Sequence, residues 1–172
     1  MDPTEKKTPH EPEDHALGRS QGGFGSKLHL ITDGRGNPLA VRVTPGQAHE
    51  SRLLEAVLES VHLKRTSRGR PRTRPRKLAG DKGYSANRIR HYLVHRGIRP
   101  VIPRRRDEGG RSPGFDRKSY RRRNVVERSV GWLKESRRLG TRYDKLAVNF
   151  LAMVKVAIIR RYLRVLDLSD RT

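Results

Sequence analysis

Four polar residues near position 127 have types and a spacing that could hold a metal ion. Tyr120, Arg123, Glu127 and Lys134 stand at offsets of 3, 7 and 14 from the first of them. On a predicted helix over about 120–138 they would fall within about 60° of arc, because successive residues turn by roughly 100°. Arg123, one turn before Glu127, would help to keep that carboxylate ionised, the form that a hard divalent cation binds. From geometry alone, an ordinary Arg–Glu pair on a solvated helix face explains the spacing at least as well.

Asp81 is a second candidate. It ends a short predicted strand over 77–81 and is followed by Lys82 and Gly83. Taken alone, Asp81 is better explained as a turn residue than as a metal ligand, because aspartate before glycine is typical of turns.

The charge of the chain indicates a polyanionic partner. Lys and Arg number 40 against 18 Asp and Glu, which gives a net charge of +22. Nucleic acid is the commonest polyanion, and the alternative is a basic surface without a specific partner. The absence of cysteine excludes disulfides, thiol nucleophiles and cysteine-containing zinc sites. No signal peptide or membrane-spanning segment is evident, which predicts a soluble protein.

The predicted elements follow the order β-β-α-β-α-β-α-α. Strands are predicted at 27–32, 38–44, 77–81 and 98–102, and the first two form a predicted hairpin around the Gly- and Asn-containing segment 33–37. Helices are predicted at 51–61, with Ser51 as its N-cap, and at 85–96, with Ile89, Tyr92 and Leu93 facing inward and Gly97 directly after its end. Further helices are predicted at 120–138 and at 144–166, the last with apolar residues at steps of four, namely Leu146, Phe150, Val154 and Ile158. Residues 1 to about 26 lack periodicity and are predicted to form an extended tail. This pattern predicts an α/β or α+β domain in which helices cover a small sheet.

Residues 64–77 form a strongly basic segment, with eight basic residues, two prolines and no acid. It could be a mobile linker. A phosphate-contacting arm is the favoured interpretation, because like charges on a loop repel one another unless a polyanion is present.

The literal pattern Tyr120-x2-Arg123-x3-Glu127-x6-Lys134 resembles the signature of a large group of bacterial insertion-sequence transposases of the DDE superfamily. Other segments resemble that family in the same order: Gly18–Gly23, Thr44–Gln47, Gly80–Ser85, Arg122–Arg128 and Thr141–Ala147. The resemblance covers about residues 13–165 and identifies the chain as the C-terminal catalytic portion of such a protein.

The resemblance implies an α/β, ribonuclease-H-like fold that cuts and joins DNA with three acids on two divalent metal ions, Mg²⁺ or Mn²⁺. It implies that Asp81 and Glu127 are the second and third of these acids and bind metal. It further implies that Tyr120, Arg123 and Lys134 bind DNA.

The first acid of that family has no clear counterpart. In the family it lies on an opening strand, whereas residues 1–17 here contain three prolines and no apolar run. Asp33 lies in a turn sequence that explains it fully, and Asp2 and Asp14 lie in the predicted tail. We therefore expect the fold to lack its first strand, with a tail at 1–18, a partial catalytic domain at 19–166 and a second tail at 167–172.

Two functions follow from these expectations. The first is DNA transposition of an insertion sequence, a mobile element, by a transposase that is truncated or encoded as the second frame of a two-frame element. Its partners would be element ends, target DNA and further copies or the first-frame product, in the cytoplasm at the nucleoid and away from membranes. The alternative is a non-catalytic DNA-binding remnant. With two acids, the isolated chain is expected to be inactive.

Overall fold

The structure is a computed structural model that describes residues 15–20, 23–64, 67–109 and 114–169. The predicted tail at 1–14 and the last three residues lie outside this description. The chain divides into two compact units. Unit 1 comprises residues 1–27, 43–48 and 133–172, and unit 2 comprises 28–42 and 49–132. Asp81 and Glu127 therefore both belong to unit 2.

The described elements are mixed α/β, which confirms the predicted class. The strands are β1 (Gly18–Ser20), β2 (Gly23–Thr32), β3 (Pro38–Pro45), β4 (Lys77–Ala79) and β5 (Arg99–Val101). The helices are α1 (Glu50–Glu59), α2 (Asn87–His95), α3 (Arg117–Arg121), α4 (Asn124–Lys134), α5 (Arg137–Gly140) and α6 (Ala147–Ser169), with a 3₁₀ turn at Lys82–Tyr84.

The first sheet has the order β1-β2-β3. β1 pairs antiparallel with the beginning of β2, Gly18 opposite Gly25. β2 and β3 are neighbours in the same sheet, which confirms the hairpin predicted for the strands at 27–32 and 38–44. The prediction of an extended tail was wrong for residues 18–20 and 23–26, which lie in strands, because backbone pairing of a short, glycine-containing segment leaves no hydrophobic alternation to detect.

The turn between β2 and β3 is built on Asp33. Its Oδ1 accepts the N–H groups of Arg35 and Asn37 at 2.8 and 2.9 Å, and its Oδ2 accepts the Asn37 amide at 2.9 Å. Partial burial acts to raise the pKa of Asp33, but the hydrogen bonds from Asn37, Arg35 and Gly36 outweigh it and lower the pKa below its usual value. Both carboxylate oxygens of Asp33 accept hydrogen bonds within the turn, which confirms the turn interpretation.

Gly36 fastens this turn to α4. It has a φ of +88°, and a Cβ there would lie 3.0 Å from Ser129 Oγ and 3.3 Å from the carbonyl oxygen of Val125. The Ser129 hydroxyl donates to the Gly36 carbonyl at 2.6 Å. Only glycine allows both this conformation and this approach, so the turn fixes the helix that carries Glu127.

The second sheet pairs β4 and β5 in parallel, Leu78 opposite Pro100, with α2 in the connection between them. This is a βαβ unit. α2 buries Ile89 and Leu93, four residues apart on one face. It ends as predicted, because Gly97 has a φ of +69° and its N–H donates to the carbonyl of Val94 at 2.8 Å.

The core of unit 2 lies between α1, α2 and the chain around β5. Its buried members are Leu58, Ile89, Leu93, Ile98 and Ile102, and Ile31, Leu54, Leu78, Tyr84 and Tyr92 pack against them. This cluster supports β4 and hence the backbone that leads to Asp81. The predicted helix over 51–61 begins instead at Glu50, with His49 rather than Ser51 at the N-cap position.

In unit 1, α6 buries Phe150 and Val154, two of the apolar residues that recur at steps of four along this helix. It begins three residues later than predicted and continues to Ser169. The guanidinium of Arg142 lies over the Phe150 ring, 5.0 Å from its centroid. Within the described part of the chain, no helix has both the length and the apolarity needed to cross a membrane.

Candidate active site

The prediction of a single helix over 120–138 was wrong, because the structure has α3, α4 and α5 in this region. Between α3 and α4, the N–H groups of Arg123 and Val126 donate to carbonyls three residues earlier, at 2.9 and 3.0 Å. Such bonds wind the chain more tightly than an α-helix. Asn124, a weak helix former that competes for backbone hydrogen bonds, stands at this junction. The four predicted residues therefore do not share one helix.

Three of the four nevertheless come together in unit 2. Arg123 Nη2 donates to Glu127 Oε1 in an ion pair. The Arg123 guanidinium carbon lies 5.8 Å from the centroid of the Tyr120 ring, and the Phe115 ring packs against the same tyrosine at 5.3 Å. Phe115 was not identified from the sequence. The group formed by Tyr120, Arg123 and Glu127 is called here the Tyr–Arg–Glu cluster.

The cluster places an accessible carboxylate beside a sheltered cation. The Glu127 side chain is 60% exposed, whereas that of Arg123 is 23% exposed. Partial burial acts to lower the pKa of Arg123, but its hydrogen bond and charge interaction with Glu127 outweigh this and raise it. The Glu127 side chain is therefore accessible to solvent, and one of its carboxylate oxygens accepts a hydrogen bond from Arg123.

Lys134 is the last residue of α4, seven residues or about two turns after Glu127. It is exposed and belongs to unit 1. The structure places Lys134 on the same helix as Glu127 but outside the Tyr–Arg–Glu cluster.

Asp81 lies two residues beyond the end of β4 and is half-buried. Its Oδ1 accepts the N–H of Gly83 at 2.7 Å and so caps the 3₁₀ turn at Lys82–Tyr84. The turn interpretation of Asp81 is confirmed, the predicted strand ends two residues earlier than expected, at Ala79, and the role of Asp81 as a metal ligand stays a prediction. Its second carboxylate oxygen has no described protein donor.

An ion pair links the segments that carry the two acids. Lys77 Nζ lies 2.7 Å from Asp116 Oδ2 and 3.2 Å from Ser119 Oγ. Asp116 also caps α3, accepting the N–H of Ser119 at 2.9 Å. The hydrogen bond from Lys77, followed by those from Ser119, holds the pKa of Asp116 well below its usual range. The start of β4, four residues before Asp81, is thereby tied to the start of α3.

Sequence reasoning missed this link. Asp116 three residues before Ser119 is a recognisable helix-start signal. Nothing in the sequence pairs Asp116 with Lys77, 39 residues away.

The acids in the described residues do not complete a site for two divalent cations. No three His, Asp or Glu side chains of the described segments group as metal ligands would. Divalent cations of this kind need several oxygen ligands around each ion. Asp2 and Asp14 lie outside the described residues, so the predicted absence of a first acid stays a prediction.

Comparisons with known proteins agree on one family. A family model described as "Transposase DDE domain" matches residues 1–161. A Burkholderia cepacia protein, described as a proposed transposase for insertion sequence element IS402, is 39% identical over 123 residues. That alignment covers 72% of this chain and 56% of the relative, so the chain spans little more than half of the relative's length. No solved structure matches.

Proposed function

Because the chain belongs to the insertion-sequence DDE transposase family, we propose that it acts in DNA transposition as part of a transposase that cuts and joins DNA by metal-dependent phosphoryl transfer, and whose first acid this chain does not supply. Asp81 and Glu127 are then two of the three acids. The match of the family model to residues 1–161 carries the proposal, because it spans both acids and the Tyr–Arg–Glu cluster. Mg²⁺ or Mn²⁺ is the proposed ion, since carboxylate oxygens suit such hard cations.

We also propose a ribonuclease-H-like fold for the domain. The parallel β4–β5 pair with α2 in its crossover and the β1-β2-β3 sheet support this proposal. Asp81 at the carboxyl end of a parallel strand is a position at which ligands commonly bind in α/β sheets.

In this proposal the side chains of the Tyr–Arg–Glu cluster contact the DNA backbone. Arg123 supplies a guanidinium, which can bind a phosphate through two parallel hydrogen bonds. Tyr120 holds that guanidinium from one side through its ring. Lys134, exposed at the end of α4, adds a further charge for the same backbone.

Replacing Glu127 by glutamine is expected to tighten DNA binding roughly three- to tenfold at low salt, because it removes a negative charge and releases Arg123 for a phosphate. The measurement is fluorescence anisotropy with a duplex oligonucleotide in EDTA, which separates binding from cleavage. Glu135→Gln is the matched control, an exposed acid directly after α4 with the same change of charge.

An equal effect of the two substitutions would mean that only net charge matters. It would remove Glu127 from the DNA interface, and unchanged affinity in Glu127→Gln would do the same.

The second candidate function is DNA binding without catalysis. The observation that favours it is that the described residues contain no group of three or more His, Asp or Glu side chains that could hold a metal ion. Proposed partners under both functions are DNA, at element ends and target, and further copies of the chain, in the cytoplasm at the nucleoid. The two functions differ in strand cleavage alone.

A further inference from the structure

An alternating series of arginines lies between α1 and β4. Residues 67–77, called here the arginine arm, have arginine at every second position, and these are Arg68, Arg70, Arg72, Arg74 and Arg76. The residues between them are Gly69, Pro71, Thr73 and Pro75. None of them is apolar enough to form a core, so the segment must be explained by its charges.

The arm is attached to unit 2 by its backbone. Leu63 and Arg72 exchange backbone hydrogen bonds of 3.0 and 2.8 Å, and the N–H of Arg99 donates to the carbonyl of Arg76 at 3.0 Å. The Arg74 guanidinium also donates to the carbonyl of Arg96 at 3.1 Å. These bonds fix the arm in the middle and at its end, which argues against a freely mobile linker.

The backbone of the arm is kept out of helical conformations. Pro71 and Pro75 lock their own φ angles, and each disfavours the α conformation in the arginine before it. In an extended chain, side chains two residues apart are separated by roughly 6–7 Å. All five arginines are exposed, whereas Thr73 and Pro75 are half-buried. The arm therefore presents a row of cations to solvent.

In the part of the chain that the structure describes, no acid pairs with this row of arginines. Residues 60–80 contain no Asp or Glu. Within the described residues, the five arginines take part in no ion pair, and the described side-chain hydrogen bonds of Arg72 and Arg74 go to neutral carbonyls. Five guanidiniums held close together repel one another, and a regular polyanion offsets that repulsion.

We propose that the arginine arm binds the phosphate backbone of duplex DNA independently of base sequence, as a surface separate from the Tyr–Arg–Glu cluster. This inference rests on the proposed function, which makes DNA the partner. Arginine suits the role because its planar guanidinium matches phosphate geometry and stays charged at all relevant pH values. The arm would hold DNA in place while specificity comes from other residues.

The test compares two variants with equal loss of charge. The arm variant carries Arg68→Gln, Arg70→Gln and Arg76→Gln, because these three side chains make no described hydrogen bond. The control variant carries Lys155→Gln, Arg160→Gln and Arg164→Gln, three exposed cations of α6. Dissociation constants are measured for a duplex of arbitrary sequence over a series of salt concentrations, after circular dichroism has shown that both variants are folded.

In the arm variant, the slope of log K against log salt should flatten by about 2 to 3, since each phosphate contact contributes about 0.9. Affinity at about 0.1 M salt should fall on the order of a hundredfold, with a small change in the control variant. Equal losses in the two variants, or no loss in the arm variant, would overturn the inference and leave the proposed function standing. Two results with the unmodified chain would overturn both the inference and the proposed function. These are the absence of salt-dependent DNA binding and a preference for RNA over DNA of equal length.

Discussion

Replacement of Leu93 by alanine is expected to lower the free energy of unfolding of unit 2 by about 3 kcal/mol. Leu93 is fully buried and packs in the cluster around Leu58 and Ile89. Truncation removes buried methyl groups and leaves a cavity that the surrounding helices fill only in part. Trp132 is the single tryptophan of the chain and belongs to unit 2, so its fluorescence in a urea titration reports this loss.

Val94 provides a control on the same helix. Its side chain is 63% exposed, and Val94→Ala should change the stability by no more than about 0.5 kcal/mol. Similar losses for Leu93→Ala and Val94→Ala would contradict the packing of α2, and with it the support of the strand that leads to Asp81.

Replacement of Arg142 by alanine should have a comparable effect in unit 1, about 2–4 kcal/mol, because charged hydrogen bonds contribute more than neutral ones. The guanidinium donates to the carbonyls of His15 and Ala16, to the hydroxyl of Ser26, and to the carbonyls of Asp144 and Lys145. One side chain thereby ties the chain before β1 to the segment before α6. Amide hydrogen exchange over residues 15–20 should accelerate on the order of a hundredfold.

Arg138→Ala is the matched control. Arg138 pairs with Asp144 at 3.0 Å, but its side chain is 55% exposed, and ion pairs of such exposed side chains contribute little to stability. If both arginine variants gave the same exchange rates over 15–20, Arg142 would not hold that segment in place.

The elements with local signals were predictable. Ile89, Tyr92 and Leu93 at helical spacing, followed by Gly97, predicted α2 and its end, because periodicity and the left-handed glycine are both local properties. The turn at Asp33 was equally predictable from the sequence, since its carboxylate accepts hydrogen bonds only from neighbours within four residues.

The elements that depend on tertiary context were not predictable from the sequence. The interruption between α3 and α4 lies inside a segment whose apolar residues keep helical spacing, so the pattern indicated one long helix. β1 is a three-residue strand defined only by its pairing with β2. The contact between Lys77 and Asp116 joins distant segments, and no local rule specifies it.

The candidate site also has features that local spacing predicted and features that it did not. The spacing of Arg123 and Glu127 predicted their ion pair, because four residues make one turn. Tyr120 stays beside Arg123 although Tyr120 lies on α3 and Arg123 lies in the turn between α3 and α4. The roles of Asp81 and Glu127 as acids of one site come from family resemblance, since they lie on different elements.

Strand cleavage tests the central claim, that this chain is a DNA-binding part of a transposase that contributes two acids, Asp81 and Glu127. The measurement incubates the chain with supercoiled plasmid in Mg²⁺, in Mn²⁺ and in EDTA, and follows binding by gel shift and nicking by gel electrophoresis. We expect salt-sensitive binding in all three conditions and nicking in none, because two carboxylates are too few for two metal ions. Metal-dependent nicking that is lost in Glu127→Gln would contradict this expectation, as would the absence of binding.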